Sequence, residues 1–284
     1  MMKRFALLFI AVLLLSSCGL FKKSSPSGIV YDSSVSNEYQ SLLERDFELV
    51  GGLTLQNVTR DDLDRIDLPQ ITGGDLSVFL RRRVRYIVGE TFETDSQTLT
   101  LADNFRYSPF LFTASGFDAS RIVTVMSNSG SAVYRAGKQA NTLYALKIGS
   151  EELTVNTPRV GVIKIGEGLF SNSRTSGFGA DSLASRLLRL GTLFHESRHS
   201  DGNGDNAGFP HTKCPSGEFQ DRYACESNTN GPYNLEAMLL KHFYRNCIAC
   251  SETELSAIQI SAADAASRLL PNAVKRNSSP EFVK

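Results

Sequence analysis

One segment constrains the fold of this chain more than any other, because its apolar residues have a helical period and two histidines lie near its end. Its sequence is DSLASRLLRLGTLFHESRHS (181–200), with Asp181 as the predicted N-cap. The apolar residues at helical spacing are Leu183, Leu187, Leu190 and Phe194. A step of four residues in a helix advances about 6 Å and about 40° past one full turn, so His195 and His199 face the same direction. The segment therefore predicts a buried helix whose last turn can bind one metal ion.

The rest of the chain predicts an α+β fold. Between about 121 and 166, short β-prone runs are separated by Gly, Ser and Asn, which predicts strands of one mixed or antiparallel sheet. Helical periods recur in 75–90, where Asp75 is the predicted N-cap, and in 231–247. The arginines expected on a solvated face of the first of these helices are Arg81, Arg82, Arg83 and Arg85.

Composition bounds the class of protein. The chain has 284 residues, of which 41% are hydrophobic, so it can bury a sizeable core. Thirty basic residues balance thirty acidic ones. A chain without excess positive charge lacks the electrostatic attraction that draws proteins to nucleic acid, so we expect no nucleic-acid partner.

The first 17 residues are typical of a secretory leader. Two basic residues precede an apolar run of eleven residues, Phe5 to Leu15, which is too short to span a bilayer as a helix. Leu15-Ser16-Ser17-Cys18 resembles a bacterial lipobox. This resemblance implies removal of 1–17, lipid attachment at Cys18 and, with Gly19 as the next residue, an outer-membrane location in the bacterial envelope. The alternative is a plain secretory leader followed by a chance cysteine.

Composition also predicts the division of the mature chain. Ser, Pro and Gly are frequent up to residue 40, so 18–40 is expected to be a flexible tether. Residues 41–271 are expected to form a single domain, with an N-terminal α/β part to about 180 and the histidine-bearing helix and a cysteine-rich part after it. The final segment, 272–284, is expected to be a loose tail.

The predicted helix ends in the sequence HESRH, an HExxH motif. This motif resembles that of the zincin metallopeptidases. The resemblance implies a zincin-like domain with a mixed sheet, in which His195 and His199 bind Zn²⁺. In those enzymes the residue at the position of Glu196 takes a proton from water acidified by the metal and passes it to the leaving amine. The alternative is a pair of surface histidines on a polar helix end.

A catalytic zinc site needs a third protein ligand and an open position. The segment that follows the helix resembles the extended metzincin signature, which implies Asp205 as the third ligand. His211 is the other candidate, and we favour it because imidazole is a good zinc ligand at neutral pH. Glu226 and Glu236 are more distant alternatives.

Four cysteines follow the helix: Cys214, Cys225, Cys247 and Cys250. Outside the cytoplasm such cysteines form disulfides, and four allow three connectivities. We favour Cys214 with Cys225 and Cys247 with Cys250, because both loops are short and would restrain the chain across the site. Their order after His211 also resembles the archaemetzincin pattern, which implies instead a second zinc bound by all four.

The resemblance to zinc peptidases implies two further features. The run 159–170 is similar to the edge strand that binds an extended substrate by strand addition, and the alternative is another strand of the core. Tyr233, after Gly231-Pro232, is a candidate to stabilise the oxyanion. The expected function is a zinc-dependent peptidase, anchored to the envelope by lipid, that acts on a peptide or protein. The alternatives are a non-catalytic lipoprotein that binds an envelope partner, and a metallo-amidase that acts on peptidoglycan.

Overall fold

The computed structural model describes the larger part of the chain. The described residues are 25–66, 70–89, 99–101, 130–135, 143–148, 151–156, 159–171, 177–199, 201 and 209–276. The predicted leader, Cys18 and Asp205 lie outside them. Among these residues, no helix is both long enough and apolar enough to cross a membrane.

Helices and strands both contribute to the described part of the chain, which confirms the α+β prediction. The helices are α1 (Asn37–Gly52), α2 (Arg60–Ile66), α3 (Gly73–Arg83), α4 (Gly168–Ser171), α5 (Leu183–His199), α6 (Pro232–Asn246) and α7 (Glu252–Ser267). The strands are β1 (Val30–Tyr31), β2 (Tyr86–Val88), β3 (Leu99–Leu101), β4 (Gly130–Arg135), β5 (Leu143–Ile148), β6 (Glu151–Asn156), β7 (Arg159–Ile165), β8 (Thr212–Lys213), β9 (Tyr223–Asn228) and β10 (Leu269–Val274).

These strands form three small sheets. The first is mixed, in the order β1-β2-β7-β4, with parallel pairing from β1 to β7 and antiparallel pairing of β7 with β4. The second is antiparallel, in the order β3-β5-β6, and the third has the order β10-β9-β8. The prediction of one sheet across 121–166 is therefore wrong. The edge-strand interpretation of 159–170 is wrong as well, because β7 is paired on both sides.

Ordered structure begins before Ser41. β1 pairs with β2, and Ile29 is 2% exposed in the core. The serines here make specific hydrogen bonds: Ser27 Oγ donates to Glu44, and the Ser36 side chain caps α1. The tether prediction is therefore wrong for residues 25–40, because these serines serve as caps and turn partners and not as disordered spacers.

Two other predicted boundaries also differ. Residues 272–274, assigned to the tail, belong to β10, which pairs with β9. The helical period of 75–90 covers a helix and a strand, because α3 ends at Arg83 and the apolar residues 86–88 form β2. Asp75 is the third residue of a capping box with Thr72, and Thr72 is the N-cap.

Helix α5 runs through the core and determines where its last turn lies. Its apolar residues after Leu183 are almost fully buried, and Arg189 within it pairs with Asp46 of α1 through two hydrogen bonds of 2.7 and 3.0 Å. Gly191 allows α6 to pack closely, since a Cβ there would lie 2.9 Å from Leu240 Cδ2. The predicted cap differs by one residue: the Ser182 side chain accepts from the Ser185 amide, and Asp181 instead pairs with Arg45.

Candidate metal centre

Three histidine rings converge at the end of α5. His195 and His199 belong to its last turn, and His211 precedes β8. The three potential ligand atoms, one from each ring, all lie within 4.8 Å of one another, and Nε2 of His195 is 3.2 Å from Nε2 of His211. Nitrogens bound to one tetrahedral zinc at about 2.0–2.1 Å are about 3.3 Å apart, so this spacing suits a single ion. The structure thus places His211, the favoured third ligand, next to His195 and His199.

Hydrogen bonds orient two of the rings. His195 Nδ1 donates to Glu236 Oε2 at 3.0 Å, and His199 Nδ1 donates to the carbonyl of Phe209 at 2.6 Å. A neutral ring that donates from Nδ1 has its lone pair on Nε2. Glu236 and Phe209 therefore hold two rings in the tautomer that binds a cation through Nε2. Nδ1 of His211 is buried and has no hydrogen-bond partner among the described residues.

The electrostatic environment favours neutral rings at two of the three positions. Burial, reinforced by the neighbouring histidines, holds the pKa of His199 well below its ordinary value, and burial lowers the pKa of His211 to about 3. Burial alone would also lower the pKa of His195, but the hydrogen bond and charge of Glu236 outweigh it and raise that pKa. Neutral imidazole is the form that binds metals, so His199 and His211 are ready to coordinate at neutral pH.

Glu196, the second residue of the motif, lies on the same turn. Burial raises the pKa of its carboxyl group to about 7, although the neighbouring His195 opposes this shift. A carboxyl group that titrates near neutral pH can both accept and release a proton under working conditions. Glu196 is therefore a candidate general acid–base group.

The site also contains buried acidic side chains. Glu226 is fully buried and Glu236 is 4% exposed, and both act on the pKa of His195 through their charge. Burial raises the pKa of Glu226 to about 7, and its Oε2 has no hydrogen-bond partner within the described part of the chain. Buried negative groups require a cation or protons for compensation. Three imidazoles next to these carboxyl groups therefore fit a divalent, nitrogen-preferring ion such as Zn²⁺.

Neither glutamate is part of the three-histidine cluster. Glu236 orients His195, as described above, and Glu226 accepts from the amide of Asn228 at 3.0 Å. The weaker third-ligand alternatives are therefore not supported by the geometry. The sequence did not predict that Glu236 orients His195. The one sequence feature that pointed towards this role was the position of Glu236 on the predicted helix that contains Tyr233.

Disulfides restrain the chain around His211. The four cysteines form two bonds, Cys214–Cys225 and Cys247–Cys250, which confirms the favoured connectivity and excludes a second zinc bound by four thiolates. The first bond joins β9 to the residue after β8, three positions from His211. It therefore limits how far His211 can move relative to β9.

A buried ion cluster closes the end of α5. Asp201 accepts from Arg83 Nε at 2.9 Å and from Arg198 Nη1 at 2.9 Å, and all three side chains are at most 2% exposed. The expectation that Arg83 lies on a solvated face is therefore wrong. Its partner is 118 residues away in sequence, so no local pattern indicates the pairing.

Tyr233, the predicted oxyanion donor, lies against the cluster on the first turn of α6. Its ring centroid is 4.4 Å from that of His195 and 4.6 Å from that of His211. Burial raises the pKa of Tyr233 to about 12, so the phenol keeps its proton at neutral pH and can donate a hydrogen bond.

Comparison with known proteins gives no further assignment. No protein family, curated protein or solved structure matches the chain. Conclusions about function must therefore come from the chemistry of the site.

Proposed function

We propose that the chain is a zinc-dependent peptidase on a zincin-like scaffold, with zinc bound by His195, His199 and His211. The observation that carries this proposal is the convergence of three imidazole nitrogens within 4.8 Å next to a glutamate with a pKa of about 7. Three protein ligands and one open position are the coordination pattern of hydrolytic zinc sites. Zinc held by these residues would polarise a carbonyl group and would let water act as a nucleophile at neutral pH.

In this proposal Glu196 transfers the proton. Its carboxylate accepts a proton from the attacking water and then donates it to the leaving amine. Glu236 is engaged with His195 and Glu226 with Asn228, which supports the choice of Glu196 among the acidic residues. Tyr233 donates a hydrogen bond to the carbonyl oxygen as negative charge develops there, which its raised pKa allows.

The central experiment compares Glu196→Gln with the same change at Glu48, an exposed residue of α1. Glu196→Gln should retain one zinc per chain and lose roughly 10²- to 10⁴-fold in kcat, the usual contribution of a general base. Glu48→Gln should retain both zinc and activity. Unchanged hydrolysis in Glu196→Gln, or zinc-loaded protein that cleaves no peptide, would contradict the proposal.

Alanine substitutions test the third ligand. His211→Ala should lose zinc and activity, whereas Asp205→Ala should keep both. The opposite pattern, measured as zinc content after dialysis, would transfer the ligand role from His211 to Asp205.

We also propose that the chain is a lipoprotein of the bacterial envelope, held at the outer membrane by lipid on Cys18. Support comes from the lipobox-like sequence 15–18 after an apolar leader. Radiolabelled palmitate should be incorporated into the wild-type chain and not into Cys18→Ser, and Cys18→Ser should leave the membrane fraction. Equal labelling of both chains would refute the anchor.

A further inference from the structure

A buried arginine lies next to the histidine cluster. Arg268, at the junction of α7 and β10, is 9% exposed. Its guanidinium carbon is 5.4 Å from the ring centroid of Tyr233, and that ring stacks on His211. The positive charge of Arg268 also lowers the pKa of His211, in the same direction as burial, and opposes the rise that burial causes in the pKa of Tyr233. Arg268 therefore forms part of the wall of the candidate metal centre.

Arg268 differs from the other buried arginines in its hydrogen bonds. The Nε atoms that donate to a carboxylate or carbonyl oxygen, at 2.7 to 2.9 Å, are those of Arg83, Arg189 and Arg198. Nε of Arg268 is buried and has no partner among the described residues. A buried donor without a partner is rare, because its desolvation is not compensated, and it often marks a place where a ligand binds.

The existing partners of Arg268 leave much of its charge available. Nη2 donates to Asp264 at 3.1 Å, but the Asp264 side chain is 42% exposed, so water screens the pair. Nη1 lies 3.5 Å from the Ala224 carbonyl, at the limit of a hydrogen bond. Phe219 covers one face of the guanidinium, with its ring centroid 3.4 Å from the central carbon. This stacking fixes the plane of the group, whose edge is complementary to a carboxylate.

We propose that Arg268 binds a carboxylate of the substrate, so that the site prefers peptides with a free carboxylate close to the scissile bond. That carboxylate belongs either to the C-terminus or to an Asp or Glu side chain. The substrate class rests on the proposed peptidase function, whereas the carboxylate contact itself requires no turnover.

The test measures binding to the zinc-loaded Glu196→Gln chain by calorimetry. Three acetylated pentapeptides of one sequence are compared: one with a free C-terminus, one amidated, and one amidated with an internal Glu. At least one carboxylate peptide should bind about 10- to 100-fold more tightly than the plain amide, the range for a charged hydrogen bond. The first and third peptides distinguish the two sources of the carboxylate.

Variants assign the preference to Arg268. Arg268→Gln should abolish it, and Arg222→Gln, which removes an exposed positive charge just before β9, should not. Because Arg268→Gln also breaks the pair with Asp264, Asp264→Asn provides a second test. It retains the guanidinium without its competing carboxylate, so carboxylate peptides should bind more tightly.

Three binding results would overturn the inference: equal binding of acid and amide peptides, a preference that survives Arg268→Gln, or no binding of any peptide. If the wild-type chain hydrolysed peptides with and without a carboxylate equally well, that result would also refute the inference. It would leave the peptidase proposal intact. Carboxylate-dependent binding without hydrolysis by the wild-type chain would support it and refute the peptidase proposal.

Discussion

Replacing Glu236 is expected to weaken metal binding while leaving the fold in place. Its carboxylate accepts a 3.0 Å hydrogen bond from His195 Nδ1, and both side chains are nearly buried. Glu236→Gln keeps the shape and one acceptor oxygen but removes the charge. Glu236→Ala removes the acceptor as well and leaves Nδ1 without a partner.

The two variants should differ by about an order of magnitude. A hydrogen bond to a charged group contributes about 1.5–3 kcal/mol, and loss of a residue that orients a metal-bound histidine lowers affinity about 10- to 100-fold. These ranges agree, since a tenfold change in affinity is about 1.4 kcal/mol. Glu236→Gln should therefore raise the zinc dissociation constant about tenfold, and Glu236→Ala about a hundredfold.

Competition with a chromophoric chelator at pH 7 measures the zinc affinity, and thermal unfolding of the zinc-free protein measures the fold. Glu48→Gln, the same substitution at an exposed residue, should change neither quantity. If both Glu236 variants bound zinc within twofold of the wild-type chain, the reasoning about His195 would be wrong.

The remaining predictions concern stability. Opening the Cys214–Cys225 disulfide by serine substitution should cost about 3 kcal/mol in urea unfolding, from its separation of 11 residues, and should weaken zinc binding by freeing His211. The same change at Cys247–Cys250, with a separation of 3, should cost about 2 kcal/mol and leave zinc affinity unchanged; equal effects on zinc would contradict this. At the N-terminal cap of α7, the backbone amide of Ser251 donates a hydrogen bond to the Glu254 carboxylate and lowers the pKa of that carboxyl group from 4.5. This cap therefore stabilises the fold above pH 4.5, and the stabilisation is lost as pH falls through the lowered pKa. Glu254→Gln should flatten the acid limb of the stability profile, and an unchanged acid limb would count against the cap.

Local patterns were sufficient for the helix that carries the site. The apolar spacing of 181–200 predicted α5 to within a few residues, because a long amphipathic period leaves few alternatives. The disulfide connectivity followed from short loops, and the choice of His211 followed from ligand chemistry. In each case the deciding information lay within about fifty residues of the motif.

Long-range pairing could not be predicted in this way. The mixed sheet joins strands near residues 30, 86, 162 and 133, and no local pattern states which strands will be neighbours. The local sequence around Arg83 does not distinguish this buried arginine from an exposed one. Only its pairing with Asp201 in the folded chain explains its burial. The hydrogen bond from His195 to Glu236 likewise depends on how α5 and α6 pack, which is a property of the folded core.

The early start of the ordered chain determines how far the site can be from a membrane. Ser25 is held by a 2.6 Å hydrogen bond to the Ile29 carbonyl, so only seven residue steps separate it from the proposed lipid attachment at Cys18. Fully extended, seven residues reach at most about 25 Å, whereas the tether expected over 18–40 would have reached about 80 Å. With the lipid in place, the domain would work within one domain diameter of the bilayer, and its substrates would have to come to that surface.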